Sequence, residues 1–163
     1  MKNYTFEELW ERIPKLLRDA CANCEQDPKW HPEGPVDIHN RLVFEHAKKY
    51  FPEHPELLVC AILHDLGKPE TQRITELDNG KRKITNYGHE RAGLKYIDKY
   101  FDLFSDITTD KETVYGVCQD HMRIHLYNSK KMSRSFKRKA LEDKPYFDLL
   151  VKFCECDEMS REI

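Results

Sequence analysis

Six side chains in this sequence have the chemistry needed to bind a divalent metal ion. Histidine nitrogens and aspartate oxygens together suit borderline divalent cations, and a carboxylate can bridge two of them. A metal held in this way activates water and stabilises charge on a phosphoryl oxygen. The sequence therefore predicts one or two divalent ions (Mn, Ni, Co, Fe, Mg or Zn) at His39, His64, Asp65, His89, His121 and Asp157.

The adjacent pair His64-Asp65 is the strongest part of this prediction. A single histidine in a helix is more often exposed, or hydrogen-bonded in a core, than bound to a metal. The pair differs because the segment before it, ELLVCAIL at 56–63, is apolar on nearly every face, which is typical of a buried helix. A carboxylate at the end of such a helix is costly to bury unless it is paired or bound to a metal.

The elements predicted around these residues place each of them near a helix end. Thr5 and Glu8 form a capping box for a first helix that extends to about residues 21–24. Four residues break the chain at 28–35, and Asp37 is the predicted N-cap of a second helix. Gly67 and Pro69 end the central apolar helix. A hairpin is predicted near 72–86, and further helices over 88–101, 110–124, 133–142 and 145–160.

Together these elements predict an all-α fold, a helical bundle with a small β-hairpin inserted near 72–86. No repeat or long linker divides the sequence, so residues 1–163 are expected to form a single domain. Residues near the ends of packed helices can converge on one mouth of a bundle. The candidate ligands are therefore expected to meet at one end of the fold.

Composition excludes several classes of function. No stretch approaches the ~20 apolar residues that a membrane span needs, and the first residues, MKNYTFEELWERI, lack the pattern of a signal peptide. We therefore expect a cytoplasmic protein with reduced thiols. The net charge is only −2, which predicts no extended nucleic-acid groove or membrane surface. The basic run at 130–139 contains one aromatic residue, Phe136, which is weak support for RNA stacking.

The cysteines are predicted to be structural. Cys21 and Cys24 form a C-x-x-C pair, but no second pair follows at the spacing of a structural zinc site. No predicted strand precedes the pair either, as a thioredoxin-like redox motif would require. Cys60 and Cys118 fall among apolar residues, as expected of core positions.

Five ordered sequence blocks resemble the HD-domain superfamily of metal-dependent phosphohydrolases. Within it, the sequence is most similar to the HD domain of bacterial tRNA nucleotidyltransferases, which has the same W-H-P-E-G opening, H-D-L-G-K-P core and G-H-E-x-A-G block. The likeness covers most of the chain and implies a helical HD-type bundle. The blocks are WHPEGPVDIHNRL (30–42), AILHDLGKPET (61–71), YGHERAGL (87–94), VYGVCQDHMRIH (114–125) and FCECDEMSR (153–161).

The resemblance also implies roles for individual residues. The residues that match the primary metal ligands are His39, His64, Asp65 and Asp157. His89 and His121 match the extra histidines of members with a second metal, for which Asp65 would be the bridge, although binding of phosphate by these two histidines is an equal alternative. Lys68 matches the lysine that binds a phosphate oxygen or assists proton transfer. His125 and Arg134 are further candidate contacts to substrate phosphate.

The expected activity is hydrolysis of nucleotide phosphoesters, with small nucleotides or RNA ends as substrates. The likeness to the tRNA-associated domains favours 2′,3′-cyclic nucleotide phosphodiesterase and nucleotidase activity. Hydrolysis of nucleoside mono- or triphosphates is the alternative within the same chemistry. Two readings from other classes stay open, namely a regulatory module that binds metal or nucleotide without turnover, and an accessory protein that binds RNA ends. The oligomeric state is not predicted.

Overall fold

The computed structural model describes residues 3–132 and 135–162 of the chain. Short helices connected by tight turns account for most of these residues. Their bounds are α1 (Phe6–Trp10), α2 (Lys15–Ala22), α3 (Val36–Tyr50), α4 (Glu56–Leu63), α5 (Lys68–Thr71), α6 (His89–Ala92), α7 (Leu94–Tyr100), a 3-10 helix (Phe101–Phe104), α8 (Lys111–Asp120), α9 (Arg123–Asn128), α10 (Ser135–Glu142) and α11 (Phe147–Met159).

The N-terminal part was predicted as one helix, and that prediction is wrong. Thr5 caps α1 as expected, because its hydroxyl oxygen accepts from the Glu8 N–H at 3.2 Å. The chain then turns, and Pro14 occupies the N-cap position of α2. A proline inside a continuous helix removes a backbone donor and clashes with the preceding turn. The same residue type starts α3, where Pro35 is the N-cap and the predicted cap Asp37 lies in the first turn.

Two of the later predicted helices are also divided. The segment predicted over 88–101 forms α6 and α7, which meet at Gly93. Within the segment predicted over 110–124, α8 ends before its C-cap His121, and α9 begins at Arg123. His89 begins α6 and His121 is the C-cap of α8, so both candidate ligands lie at helix ends.

The predicted hairpin is present. Strands β1 (Arg73–Glu76) and β2 (Arg82–Thr85) pair antiparallel, with Arg73 opposite Thr85 and Glu76 opposite Arg82. Gly80 in the connecting turn has a φ of +78°, a conformation that glycine adopts without a steric penalty. The fold class predicted from sequence, an all-α bundle with a small hairpin, is therefore confirmed.

Helix α4 lies at the centre of the core. Its apolar residues from Leu57 to Leu63 are buried except for the half-buried Leu58, and the helix packs against α3 and α8. One continuous cluster of buried apolar residues joins it to the N-terminal helices and to α11. All six cysteines are free and buried, as expected, and burial raises the pKa of Cys24 to about 11. Within the described residues, no helix combines the length and hydropathy needed to cross a membrane.

We predict that a buried hydrogen bond between α8 and the start of α11 is important for stability. The Tyr146 hydroxyl donates to Asp120 Oδ2 at 2.5 Å, and Asp120 is fully buried. Tyr146→Phe leaves that oxygen without its donor, which should lower the free energy of unfolding by about 1–3 kcal/mol in urea titrations. Tyr127→Phe removes an exposed bond to Glu142 and is the matched control, with a change expected within about 0.5 kcal/mol. Equal effects of the two substitutions would contradict the prediction.

Candidate metal centre

The six candidate ligands come from five different helices or helix ends, and all six are buried. His39 lies in the first turn of α3, and His64 caps the central helix α4. The buried core fixes these helix ends relative to one another, so their side chains do not depend on mobile loops for their position. The nitrogens of the four histidines meet around the carboxylate of Asp65, and Asp157 contacts His39.

Each oxygen of Asp65 faces a different group of nitrogens. Oδ1 lies 3.2 Å from His89 Nε2 and 3.5 Å from His121 Nε2. Oδ2 lies 3.1 Å from His64 Nε2 and 3.9 Å from His39 Nε2. Two sets of potential metal ligands therefore share this one carboxylate, which is the arrangement of a bridging ligand between two cations.

The backbone fixes which nitrogen of each histidine faces Asp65. The Nδ1 atoms of His64, His89 and His121 lie 3.1, 3.0 and 2.5 Å from carbonyl oxygens of Cys60, Asn86 and Cys118, respectively. Carbonyl oxygens only accept hydrogen bonds, so Nδ1 carries the proton in each ring and Nε2 of the neutral ring presents a lone pair. These hydrogen bonds hold the three rings in the tautomer that a metal ligand requires.

The residues present fit a metal, because two of their buried atoms have no hydrogen-bond partner among the described residues. Among the described residues, His64 Nε2 and Asp65 Oδ2 are buried and accept or donate no hydrogen bond. The Nε2 atoms of His89 and His121 lie only 3.0 Å apart, which brings two lone pairs together when both rings are neutral. Buried polar atoms without partners are costly, and a cation between them would satisfy both sets.

The protonation states also suit a metal. Burial alone would raise the pKa of Asp65, but attraction from His64 and Lys68 outweighs burial and holds that pKa well below its usual range. Burial lowers the pKa of His89, which favours the neutral ring. The attraction from His64 applies to its protonated ring, so a divalent cation would take the place of that proton beside the ionised carboxylate.

His39 and Asp157 form the outer part of the cluster. His39 Nε2 lies 2.7 Å from Asp157 Oδ1, and His39 Nδ1 lies 2.7 Å from Glu33 Oε1. Burial works against protonation of His39, but the hydrogen bonds to Asp157 and Glu33 outweigh it and raise the pKa of His39. A cation bound at Nε2 would replace the proton that this nitrogen shares with Asp157.

Sequence reasoning missed two residues in the loop before α3. Glu33 holds Nδ1 of His39, and Gln26 accepts a hydrogen bond from Lys68 Nζ at 2.6 Å through its side-chain oxygen. Lys68 Nζ also lies 3.2 Å from Asp65 Oδ2, so its ammonium is held between the loop and the centre. The glutamate in the W-H-P-E-G opening was the available signal, since a carboxylate six residues before a candidate ligand can orient it.

A cleft of about 650 Å³ opens beside the centre and contains Lys68 and His89 in its wall. Its rim carries two exposed aromatic rings, Trp30 and Tyr87, which are 60% and 80% exposed. The hairpin and the turn after α8 supply other parts of the wall, including the cations Lys83 and Lys131. The hairpin and this turn therefore both border the cleft.

The other predicted substrate contacts have different outcomes. The Nε2 atom of His125 lies 2.9 Å from Asp157 Oδ2, and its Nδ1 faces Cys154 and Glu158, so both ring nitrogens already have neighbours. A contact between His125 and substrate stays a prediction. Arg134 lies outside the described residues. Phe136 is exposed on α10.

Comparison with known proteins identifies the family. The family model described as the HD domain matches residues 36–159, which is most of the chain. The chain belongs to the HD-domain family. This result confirms the resemblance found in the sequence, and it makes the chain a member of a superfamily of metal-dependent phosphohydrolases. No solved structure matches the chain significantly.

Curated relatives of this HD-domain chain are named Multifunctional CCA protein. The protein of Vibrio parahaemolyticus is 34% identical over 113 residues, which cover 69% of this chain and 25% of that relative. The protein of Vibrio cholerae is 27% identical over 153 residues, which cover 91% of this chain and 36% of that relative. The chain therefore spans between a quarter and just over a third of these relatives' length.

We predict that His121 is needed for a second metal ion in the HD-domain centre. Native protein dialysed against manganese should bind one ion more per chain than His121→Gln, because that variant removes a nitrogen from only the group that faces Asp65 Oδ1. Metal analysis after equilibrium dialysis measures this difference. His54→Gln, which changes a partly exposed histidine outside the centre, should bind as many ions as the native protein. The same count in the native and His121→Gln proteins would contradict a two-metal centre.

Proposed function

We propose that this HD-domain protein is a metal-dependent hydrolase of nucleotide phosphoesters, with 2′,3′-cyclic nucleotides and nucleoside monophosphates as its first substrates. The observation that carries the proposal is the shared carboxylate of Asp65, which faces four histidine nitrogens beside a cleft with cationic and aromatic walls. The likeness to Multifunctional CCA proteins favours a substrate related to nucleotides or RNA ends.

In this proposal the residues around Asp65 hold the cations and orient the phosphoester. Bound divalent metals supply Lewis-acid stabilisation of the phosphoryl oxygens and activate water. His39, His64, Asp65 and Asp157 are the proposed ligands of one ion, and His89 and His121, with Asp65 shared, are those of a second. The backbone carbonyls behind three of the histidines keep their Nε2 lone pairs directed at the ions.

Lys68 has a separate proposed role. Its ammonium lies in the cleft wall and is held by Gln26 and Asp65, so it can contact a phosphate oxygen without reorganisation of the site. A fixed positive charge near a phosphoryl group stabilises the charge that develops during hydrolysis. The nearby Asp65 keeps this charge paired before substrate binds, which lowers the cost of burying it.

The walls of the cleft suit a nucleotide rather than inorganic phosphate alone. A volume of about 650 Å³ lies within the range of small-molecule sites, roughly 300–1,000 Å³. Trp30 and Tyr87 offer aromatic faces on which a base can stack. Lys83 and Arg161 add positive charge to the cleft wall, which suits a second phosphate or the hydroxyls of the ribose. We propose that residues 1–163 perform this function as one HD-type domain. Nucleotide addition, which the name of the relatives indicates, is not proposed for this chain.

The proposal is tested by loading metal-free protein in turn with manganese, nickel, cobalt and magnesium. Each form is assayed against 2′,3′-cyclic AMP, 2′-AMP, 3′-AMP, 5′-AMP and nucleoside triphosphates. Metal-dependent release of product from the cyclic nucleotide or the 2′ or 3′ monophosphates is the expected result. Turnover of 5′-monophosphates or triphosphates alone would support the alternative hydrolase. Metal binding without turnover of any substrate would favour the regulatory module and overturn the proposal.

A further inference from the structure

A second cluster of potential metal ligands lies between α9 and α11, next to Oδ2 of Asp157. It consists of His125 on α9 and of Cys154 and Glu158, one helical turn apart on α11. His125 Nδ1 lies 3.6 Å from Cys154 Sγ and 3.4 Å from Glu158 Oε1, and the sulfur and oxygen lie 3.7 Å apart. Nitrogen, sulfur and oxygen atoms therefore form a small triangle.

The edges of this triangle match those of a tetrahedral zinc site. Zinc binds histidine nitrogen at about 2.0–2.1 Å, thiolate sulfur at about 2.3 Å and carboxylate oxygen at about 2.0–2.2 Å. With tetrahedral angles, those bond lengths place nitrogen and sulfur about 3.6 Å apart, nitrogen and oxygen about 3.4 Å apart, and sulfur and oxygen about 3.6 Å apart. The three observed distances agree with these values to about 0.1 Å.

When His125 is neutral, the three atoms of this triangle have too few hydrogen atoms to satisfy one another by hydrogen bonding. His125 Nε2 lies 2.9 Å from Asp157 Oδ2, so in the neutral ring the proton is on Nε2 and Nδ1 is an acceptor. Glu158 Oε1 is also an acceptor, and one S–H proton of Cys154 cannot serve both. Asn128 adds a donor to the sulfur, since its side-chain nitrogen lies 3.4 Å from Sγ. Burial and the nearby carboxylates of Glu158 and Asp157 raise the pKa of the Cys154 thiol, so a cation bound to the sulfur would displace its proton.

We propose that His125, Cys154 and Glu158 bind a zinc-like divalent cation at a site separate from the Asp65 centre. The thiolate selects borderline cations such as zinc and cobalt over magnesium and calcium, which prefer oxygen ligands. On binding, the sulfur forms a bond to the cation and its proton leaves to solvent. The side chain of Glu158 is 55% exposed, which gives the cation a route from solvent to the buried sulfur.

A cation at this site acts on the neighbouring centre through His125. Occupation of Nδ1 fixes the proton on Nε2, where it is directed at Asp157 Oδ2. Arg161 lies 3.3 Å from the same oxygen, so Asp157 is then held from two sides while its Oδ1 remains beside His39. His125 is in this view a metal ligand and a positioning residue for Asp157, which explains why neither of its nitrogens faces the cleft.

Cobalt substitution tests the proposal because, among the described residues, this is the only cluster of potential ligands that includes a cysteine. Metal-free, reduced protein is titrated with cobalt(II), and the near-ultraviolet charge-transfer absorption of a thiolate–cobalt bond is recorded. The band should appear in the native protein and be absent in Cys154→Ser. Asp65→Asn should retain it, since that substitution alters only the histidine–aspartate centre. Glu158→Gln changes an exposed side chain and removes a proposed ligand. Loss of a hydrogen-bond partner behind a metal ligand costs about 10–100-fold in affinity, so this variant should weaken cobalt binding at the cysteine site by more than that.

Two controls exclude Cys156 and the C-x-x-C pair. Cys156→Ser changes a buried thiol two residues from Cys154, and a double Cys21→Ser, Cys24→Ser variant removes the C-x-x-C pair. Both should keep the band, and circular dichroism identifies any variant that fails to fold. If Cys154→Ser does not fold, the Glu158→Gln titration still decides. Absence of the band from native protein, its persistence in Cys154→Ser, or unchanged affinity in Glu158→Gln would each overturn the proposal.

Discussion

Asp65→Asn should reduce turnover of any phosphoester substrate by on the order of 10³-fold or more, because loss of a bridging carboxylate removes several kcal/mol of transition-state stabilisation by metal. The expectation follows from the two oxygens of Asp65, which lie within 3.9 Å of four histidine nitrogens and beside Lys68. The substitution keeps the shape of the side chain and removes its charge. Initial rates at saturating manganese measure the effect.

Asp148→Asn is the matched control for this experiment. Asp148 is exposed near the start of α11 and pairs only with Lys152 among the described residues, so its loss should leave turnover within about twofold of native. Manganese should also raise the melting temperature of the native protein and of Asp148→Asn, but not that of Asp65→Asn, because a ligand stabilises only the state that binds it. Full turnover by Asp65→Asn would refute the assignment of the centre.

The positions of the candidate ligands at helix ends were predictable because helix termini have strong local signals. Gly67 and Pro69 follow the apolar segment that ends at His64-Asp65, and Gly88 precedes His89. In the structure, Gly88 has a φ of +79° at the start of α6. An apolar segment that must be buried and a polar pair at its end therefore predict a central helix with a functional terminus.

The support around the ligands was not predictable, since it depends on contacts between distant parts of the chain. Gln26 and Lys68 are 42 positions apart in the sequence, yet their side chains are hydrogen-bonded. Gln26 is held in place by a second hydrogen bond, from its Nε2 to the carbonyl of Gly34, within a loop whose sequence has no periodic pattern. The break at Pro14 could have been predicted, because proline is a local helix-breaking signal. The helical spacing of the apolar residues around it favoured one continuous helix instead. Cluster formation by His125, Cys154 and Glu158 likewise requires the packing of α9 on α11.

Gly67→Ala should disable the centre although residue 67 is not a proposed ligand. A Cβ at this position would lie 2.3 Å from the His89 carbonyl oxygen and 2.6 Å from the Gly93 nitrogen. Both are backbone atoms, so the contact is relieved only if α6 moves away from the start of α5. That movement displaces His89 from Asp65 and Lys68 from the cleft. Overpacking of this kind typically costs about 1–3 kcal/mol of stability, and a displacement near 1 Å costs about 10²-fold in rate.

Gly93→Ala tests the same helix crossing from the other side. Its Cβ would lie 3.2 Å from the same His89 oxygen and 3.4 Å from the Gly67 nitrogen, distances that small shifts can accommodate. Gly93 also has a helical φ of −74°, so alanine carries no backbone strain there. We therefore expect Gly93→Ala to retain most of the turnover and Gly67→Ala to lose about 10²-fold, with a lower melting temperature and weaker manganese binding. Equal behaviour of the two variants would show that the close approach of α6 to Gly67 does not position His89.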